Sequence, residues 1–428
     1  MLMENQLVEK TLTDDFTTPW SKKNDTDPLH ALCSYLGAFP PSLANYFIKY
    51  FTDVNDVVYD PFSGRGTTIL ESRMLGRRSF GSDLNPIALA LSKAKSSSVN
   101  KEDILNRIDE LQSYYDYALF HPEAEGESDD IHLIFHSRTI AELCFLKSEI
   151  LSSENKIDQF IIGAVLGIMH GGVRKDGSSG YLSISMPNTF SMSPDYVRRF
   201  VQTKELSREY RNVFETLKGK VERIFKKHKS PILESNIFEC DAKNLMASKD
   251  VSDYKGKVDL LLTSPPYLGI VNYAKQNWIR SWFLDSDPDD VSATLDDDFN
   301  INQWVKFAKE TAFQFKEMMK PNGVAVFVIG DVARSSTSVI PLAREFVMMI
   351  KENNLFENAW VFSDYIQGVD KTTRIWGETK GKATATDRIV IVSDHNPFLN
   401  NRRLDGEISI SYKEIQESTK HFLGKKIN

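Results

Sequence analysis

The chain has 428 residues, 41% hydrophobic and 26% charged, and its 52 Lys+Arg against 59 Asp+Glu leave a formal net charge of −7. This is the make-up of a globular protein with a sizeable core. It excludes disordered and collagen-like classes, and no apolar run approaches the ~20 residues of a membrane span. The acidic total, taken alone, argues against a polyanionic partner.

In chain order, the opening MLMENQLVEKTLTDD lacks the basic and apolar regions of an export signal, so a cytoplasmic protein is expected. Short apolar runs then predict strands at Val57–Asp60, Ser79–Ser82, Ile237–Asp241, Val258–Thr263, Val324–Ile329, Ala359–Phe362 and Arg388–Val392. Several are apolar throughout, as strands covered on both faces are. Alternating with helical segments, they predict an α/β fold with a mostly parallel sheet. About 20 residues separate the first two strands, but ~150 separate the second from the third, far more than a crossover needs. Residues 101–230 are therefore read as an insertion in a domain formed by 1–100 and 231–428. Asp103–Tyr117, Arg138–Leu151 and Gln159–His170 have helical periodicity. After a loop rich in Gly, Ser and Pro, one long helix is expected from Tyr196 to His228. Cys33, Cys144 and Cys240 lie far apart with no CxxC pair, which argues against a disulfide framework or a cysteine-rich zinc site.

Three strand ends carry chemistry. DPFSGRGTT, Asp60–Thr68, joins a strand to a helix. Its glycines allow unusual φ angles and close approach of a ligand, while the lack of a following GK[ST] disfavours a phosphate-cradling loop. GSDLNP puts Asp83 at the end of the next strand, where a carboxylate can accept hydrogen bonds from ribose hydroxyls. Asp83 and Asn85 also suit the N-cap of the next helix, a plainer role compatible with the first. TSPPY, Thr263–Tyr267, forces a turn at the carboxyl edge of the sheet, because two prolines cannot continue a central strand. There a Ser264 hydroxyl and a carbonyl can accept both hydrogens of an amino group, and Tyr267 offers a flat face to a planar ring.

DPFSGRGTT, GSDLNP and TSPPY, in this order, resemble the amino-methyltransferases of DNA that use S-adenosylmethionine, over about Tyr35–Lys95 and Ser235–Val392. The resemblance implies a Rossmann-like class I methyltransferase fold with a seven-stranded sheet. It implies methylation of an exocyclic nitrogen, with cytosine N4 favoured over adenine N6 because serine precedes PPY. HALCSYLGAFPPSLANYFIKYF resembles the segment that closes over the cofactor, with Tyr35, Phe39 and Pro40 as contacts. Further cofactor contacts implied are Asp60, Pro61, Phe62, Ser63, Gly64, Gly66, Thr67 and Thr68, then Asp83, Leu84 and Asn85, then Asp241 and Ala242 in FECDAKNL. Catalysis falls to Ser264, Pro265, Pro266 and Tyr267. The Ser264 hydroxyl and Pro265 carbonyl would hold the amine, and Tyr267 would stack on a base flipped out of the duplex.

The layout departs from the family. Asp241 and Ser264 are close together and little chain follows the last strand, so target recognition is assigned to the helical insertion 101–230. Residues 198–229 hold eleven Lys/Arg against four Glu, a local balance of +7. A helix so composed can lie along phosphates or simply be solvated. Arg198, Arg199 and Lys204 there, Arg174 and Lys175 in the preceding loop with Tyr181 and Asn188, and Lys371 and Arg374 near the end are the expected contacts to double-stranded DNA. DSDPDDVSATLDDD holds seven Asp between 285 and 298 and reads as a solvated loop. It alone matches the net −7, so the acidic total says little about partners. A restriction endonuclease acting on the same sequence is the expected protein partner. The competing readings are an RNA base methyltransferase and a catalytically inactive cofactor-binding subunit, the latter disfavoured by the intact Ser264–Tyr267 element.

Overall fold

Four consecutive buried residues, Val57–Asp60, form the first strand (β1), a pattern that demands cover on both faces. The computed structural model describes residues 26–398 apart from 173–178, 187–192, 232, 269–274, 296–298, 334–338, 366–374, 377–378 and 381–382, together with Lys420. With β1, the main sheet contains Arg78–Asp83 (β2), Ser235–Glu239 (β3), Val258–Thr263 (β4), Met319–Ala333 (β5), Asn358–Tyr365 (β6) and Ala383–Ser393 (β7). Their spatial order is β3-β2-β1-β4-β5-β7-β6, with Val339–Ile340 added antiparallel to the end of β5. Pairings among the first five strands are parallel, whereas β7 runs antiparallel to β5 and β6. This is the Rossmann-like, mostly parallel α/β arrangement the sequence implied. The order reverses between β1 and β4, and at such a switch point the diverging strand ends leave a crevice.

Three helices cover the first half of the sheet: Pro41–Phe51 (α1), Thr67–Met74 (α2) and Pro86–Ser96 (α3). The segment between β2 and β3 continues as Lys101–Tyr114 (α4), Tyr117–Glu125 (α5), Asp129–Ile134 (α6), Ser137–Ile150 (α7), Lys156–Ile168 (α8), Pro194–Lys204 (α9) and Val213–Phe225 (α10). Their buried residues share one apolar cluster with Leu70 of α2 and Ile87, Leu91 and Ala94 of α3. Contact is closest at α8, where a Cβ on Gly167 would fall 1.8 Å from the Leu32 carbonyl oxygen.

Two local expectations are corrected here. The single helix expected over 196–228 is two. Glu205 adopts a left-handed φ of 49° that ends α9, and the Asn212 side chain accepts from the Glu215 N–H to start α10. Likewise the helix expected at 103–117 stops at Tyr114, and Asp116 caps α5.

The remaining helices are Lys249–Ser252 (α11), Trp278–Phe283 (α12), Pro288–Thr294 (α13), Ile301–Met318 (α14) and Leu342–Glu352 (α15). α13 falls inside the Asp-rich stretch read as a loop. Asp287 accepts from the Asp289 and Asp290 N–H groups, Pro288 opens the first turn, and acidic side chains favour a helix N-terminus. One face of the sheet, with Val58, Leu260, Leu262 and Ile389, packs on Leu43 and Phe47 of α1. The opposite face, with Tyr59, Leu261 and Phe327, meets Trp304 and Phe315 of α14 and Phe346 of α15. Among the described residues no helix is long and apolar enough to cross a membrane.

Candidate cofactor and base site

The crevice at the switch point begins with a hydrogen bond between the two diverging strands. Thr263 Oγ1, at the end of β4, donates to Asp60 Oδ1, at the end of β1, at 2.6 Å. The Phe62 N–H donates to the same oxygen at 3.2 Å. Asp60 is only 2% exposed, and burial pushes its carboxyl up to about 6 despite these donors. At the end of β2, Asp83 takes one backbone N–H on each oxygen, from Gly64 at 2.9 Å and Asn85 at 3.0 Å. Burial pushes this carboxyl up to about 6 as well. One further lone pair per oxygen is left for a ligand. Asn85 fills the expected N-cap role: its Oδ1 caps α3 through the Ile87 N–H, and its Nδ2 donates to the Tyr35 hydroxyl at 3.1 Å.

These groups line a cleft of about 880 Å³, part of it open to solvent. Of the residues expected to hold a cofactor, Tyr35 and Phe39 form one wall, and Asp60, Pro61, Phe62, Ser63, Gly64 and Thr67 form the turn after β1. Asp83, Leu84 and Asn85 come from the end of β2, and Asp241 and Ala242 from just beyond β3. Pro40, Gly66 and Thr68 do not line it. Pro40 is the N-cap of α1. Gly66, at φ +74°, starts α2 so close to α3 that a Cβ would lie 3.1 Å from Ser92 Cα. Thr68 is buried and donates to the Leu262 carbonyl. Several lining residues had no separate signal in the sequence: Leu36, Gly37 and Ala38 between Tyr35 and Phe39, Cys240 before Asp241, and Arg65 inside the glycine turn. Leu295, after α13, and Phe307 of α14 are brought in from far along the chain, where Phe307 meets the Phe62 ring at 5.8 Å.

The catalytic element sits at the end of β4. Ser264 and Pro266 line the cleft; Pro265 and Tyr267 do not. Ser264 Oγ donates to the Val328 carbonyl of β5 at 2.9 Å, and the Tyr267 hydroxyl donates to the same carbonyl at 3.1 Å. The buried Trp304 pins the turn by donating its indole N–H to the Pro266 carbonyl at 2.9 Å.

The donor set decides what the cleft can hold. Three carboxylates, Asp60, Asp83 and Asp241, face it against one guanidinium, Arg65. A pyrophosphate would be repelled, whereas a sulfonium and an ammonium are attracted. S-adenosylmethionine, the cofactor the resemblance implies, therefore fits. Residues 4–94, which include the turn after β1 and Asp83, match the family described as DNA methylase. The chain resembles the amino-methyltransferases of DNA. Over 75 residues it is 36% identical to the type II methyltransferase M.MjaII of Methanocaldococcus jannaschii, covering 18% of this chain and 14% of that protein. Over 92 residues it is 30% identical to the type II methyltransferase M.MvaI of Kocuria varians, covering 21% and 20%. The chain thus matches a fifth or less of the length of these relatives, and the family match stops short of Thr263–Tyr267. Among solved structures, the rRNA methyltransferase aviRa from Streptomyces viridochromogenes aligns at 12% identity and a TM-score of 0.35, over 88% of this chain and 95% of that one.

The expected DNA contacts that fall among the described residues do not line the cleft. Arg198, Arg199 and Lys204 lie on α9, but Arg198 is tied to Asp130 at 2.6 Å and Asp195 at 3.2 Å. Much of the +7 counted over 198–229 is spent internally: Lys218 pairs with Asp109 and Glu215, and Lys220 and Arg208 donate to the Ala31 and His132 carbonyls. Arg199 and Lys204 are exposed. Tyr181 packs against Gly171. Arg174, Lys175, Asn188, Lys371 and Arg374 lie outside the described residues. No group of three or more His, Cys, Asp or Glu able to hold a metal ion occurs among the described residues.

Proposed function

We propose that this chain transfers a methyl group from S-adenosylmethionine to the exocyclic amino group of a base in double-stranded DNA, with cytosine N4 favoured over adenine N6. The observation that carries the reading is one cleft in which three strand-end carboxylates adjoin the Ser264 hydroxyl. The carboxylates suit a cationic nucleoside; the hydroxyl suits an amine. When bound, S-adenosylmethionine supplies a methyl group made electrophilic by its sulfonium.

Asp83 receives the ribose hydroxyls on the lone pairs left beside its two backbone donors, and Asp241 receives the adenine amino group. Ser264 Oγ accepts one hydrogen of the target amine; for the Pro265 carbonyl to accept the other, the turn must shift, because Pro265 does not line the cleft. That favours a pyramidal nitrogen with an available lone pair, and the proton the amine must lose on methylation would leave past these acceptors to solvent. A base in a duplex must flip out to reach such a cleft. We assign target recognition to 101–230. Double-stranded DNA is the partner proposed, and the relatives' designation as type II methyltransferases makes a restriction endonuclease of the same sequence specificity the second.

The test is to incubate the full chain with methyl-labelled S-adenosylmethionine and unmethylated phage DNA, then digest to nucleosides. N4-methylcytosine is the expected product. N6-methyladenine alone would overturn the cytosine preference, and label entering RNA but not DNA would overturn DNA as the substrate.

A further inference from the structure

Ser264 can accept an amine hydrogen only if its own proton points elsewhere. The β4–β5 ladder ends at the pair Thr263–Phe327, and the carbonyl one residue further along β5, that of Val328, is taken up by two hydroxyls instead. Ser264 Oγ lies 2.9 Å from it, the Tyr267 hydroxyl 3.1 Å from it, and the two hydroxyls 3.0 Å from each other. Three oxygens in a nearly equilateral triangle share two protons, and the carbonyl brings none. Both protons can go to the carbonyl; or Ser264 donates to it while Tyr267 donates to Ser264; or Tyr267 donates to it while Ser264 donates to Tyr267. In each of these arrangements the Ser264 proton is spent inside the triangle and an Oγ lone pair is left for the cleft; turning that proton out would forfeit a hydrogen bond of the triangle.

We infer that Tyr267 is a positioning residue: its hydroxyl, with the Val328 carbonyl, holds Ser264 as a hydrogen-bond acceptor. The inference rests on the proposed amine methylation and deepens it. Tyr267 itself is not among the cleft-lining residues, although Ser264 and Pro266 on either side are, and its ring packs against the sheet-face cluster beneath α14. The aromatic residues that line the cleft are Tyr35, Phe39, Phe62 and Phe307. The role differs from the base-stacking one that the resemblance implies for this residue, and the two make opposite predictions.

The experiment compares Tyr267→Phe and Tyr267→Leu with the wild-type full chain, using labelled S-adenosylmethionine and unmethylated phage DNA at varied concentration. Calorimetry with S-adenosylhomocysteine serves as a binding control. Action through the hydroxyl predicts that both variants lose about tenfold or more in kcat, to a similar level. The KM for DNA should stay within about threefold and the cofactor-product Kd within about twofold. Stacking predicts instead that Phe behaves as wild type and Leu is impaired, chiefly in KM. A Tyr267→Phe kcat within about twofold of wild type overturns the inference while leaving the proposed function standing. A fall in kcat accompanied by lost S-adenosylhomocysteine binding marks a merely structural role and overturns it too. Absence of transfer to DNA by the wild type overturns both.

Discussion

Replacing Asp60 with asparagine should stabilise the protein at neutral pH and weaken its hold on a cationic cofactor. The two hydrogen bonds to Asp60 Oδ1, from Thr263 Oγ1 at 2.6 Å and the Phe62 N–H at 3.2 Å, can both be kept by an amide oxygen. What the substitution removes is a buried charge. Burial raises this carboxyl from 3.8 to about 6. At about 1.4 kcal/mol per pKa unit, the ionised group costs the folded state about 3 kcal/mol. The unfolded chain ionises near the lower value and the folded chain near the higher one. The cost is therefore absent below about pH 4, builds as pH rises to about 6, and is constant above that. Asp60→Asn should gain about 1 kcal/mol at pH 4.5 and about 3 kcal/mol at pH 7.5. Urea unfolding of both proteins at the two pH values, followed by tryptophan fluorescence, measures the difference. An equal gain at both pH values, or a loss at pH 7.5, would refute the electrostatic account. Calorimetric titration with S-adenosylmethionine completes the test: affinity should fall about tenfold, since the cleft loses one of its three carboxylates.

Three other perturbations probe separate parts of the molecule. Trp304→Phe removes the indole donor to the Pro266 carbonyl; it should cost about 1–2 kcal/mol in urea unfolding and reduce methyl transfer more than cofactor binding, because the turn carrying Ser264 loosens. Gly167→Ala forces a Cβ within 1.8 Å of the Leu32 carbonyl oxygen and should cost about 2–3 kcal/mol, read as a lower urea midpoint. A double charge reversal, Arg199→Glu with Lys204→Glu, should weaken DNA binding and lower the slope of log K against log salt by about two; Arg198 is left out because Asp130 and Asp195 already hold it. Unchanged affinity and slope would remove α9 from the DNA surface.

The strand-end groups Asp60, Asp83, Asp241 and Ser264 were legible because each belongs to a local pattern: an apolar run, then a turn residue with a fixed chemical use. Asn212, with Glu215 three residues on, and the Asp-Pro at 287–288 were equally local start signals, so the break before α10 and the helix α13 were readable in principle. The charge runs around them mask these signals in a sequence read for periodicity alone. Leu295 and Phe307 carried no such signal, since nothing near them distinguishes a cleft wall from an ordinary core position. The +7 balance over 198–229 misled for a related reason: a count of charges along the chain does not show which of them already face Asp109, Asp130 or a backbone carbonyl.

By itself the sequence determined the alternation of strands and helices, the position of the three acidic strand ends, and the turn that carries Ser264. These follow from periodicity and from the backbone limits of glycine and proline, which act within a few residues. Only the tertiary structure decided that the sheet order reverses between β1 and β4, so that Asp60 and Ser264 share one crevice. It also decided that the Val328 carbonyl, from a third strand, sets the direction of the Ser264 proton. Both depend on which strands become neighbours and in what register, and that is settled by packing between segments distant in the chain.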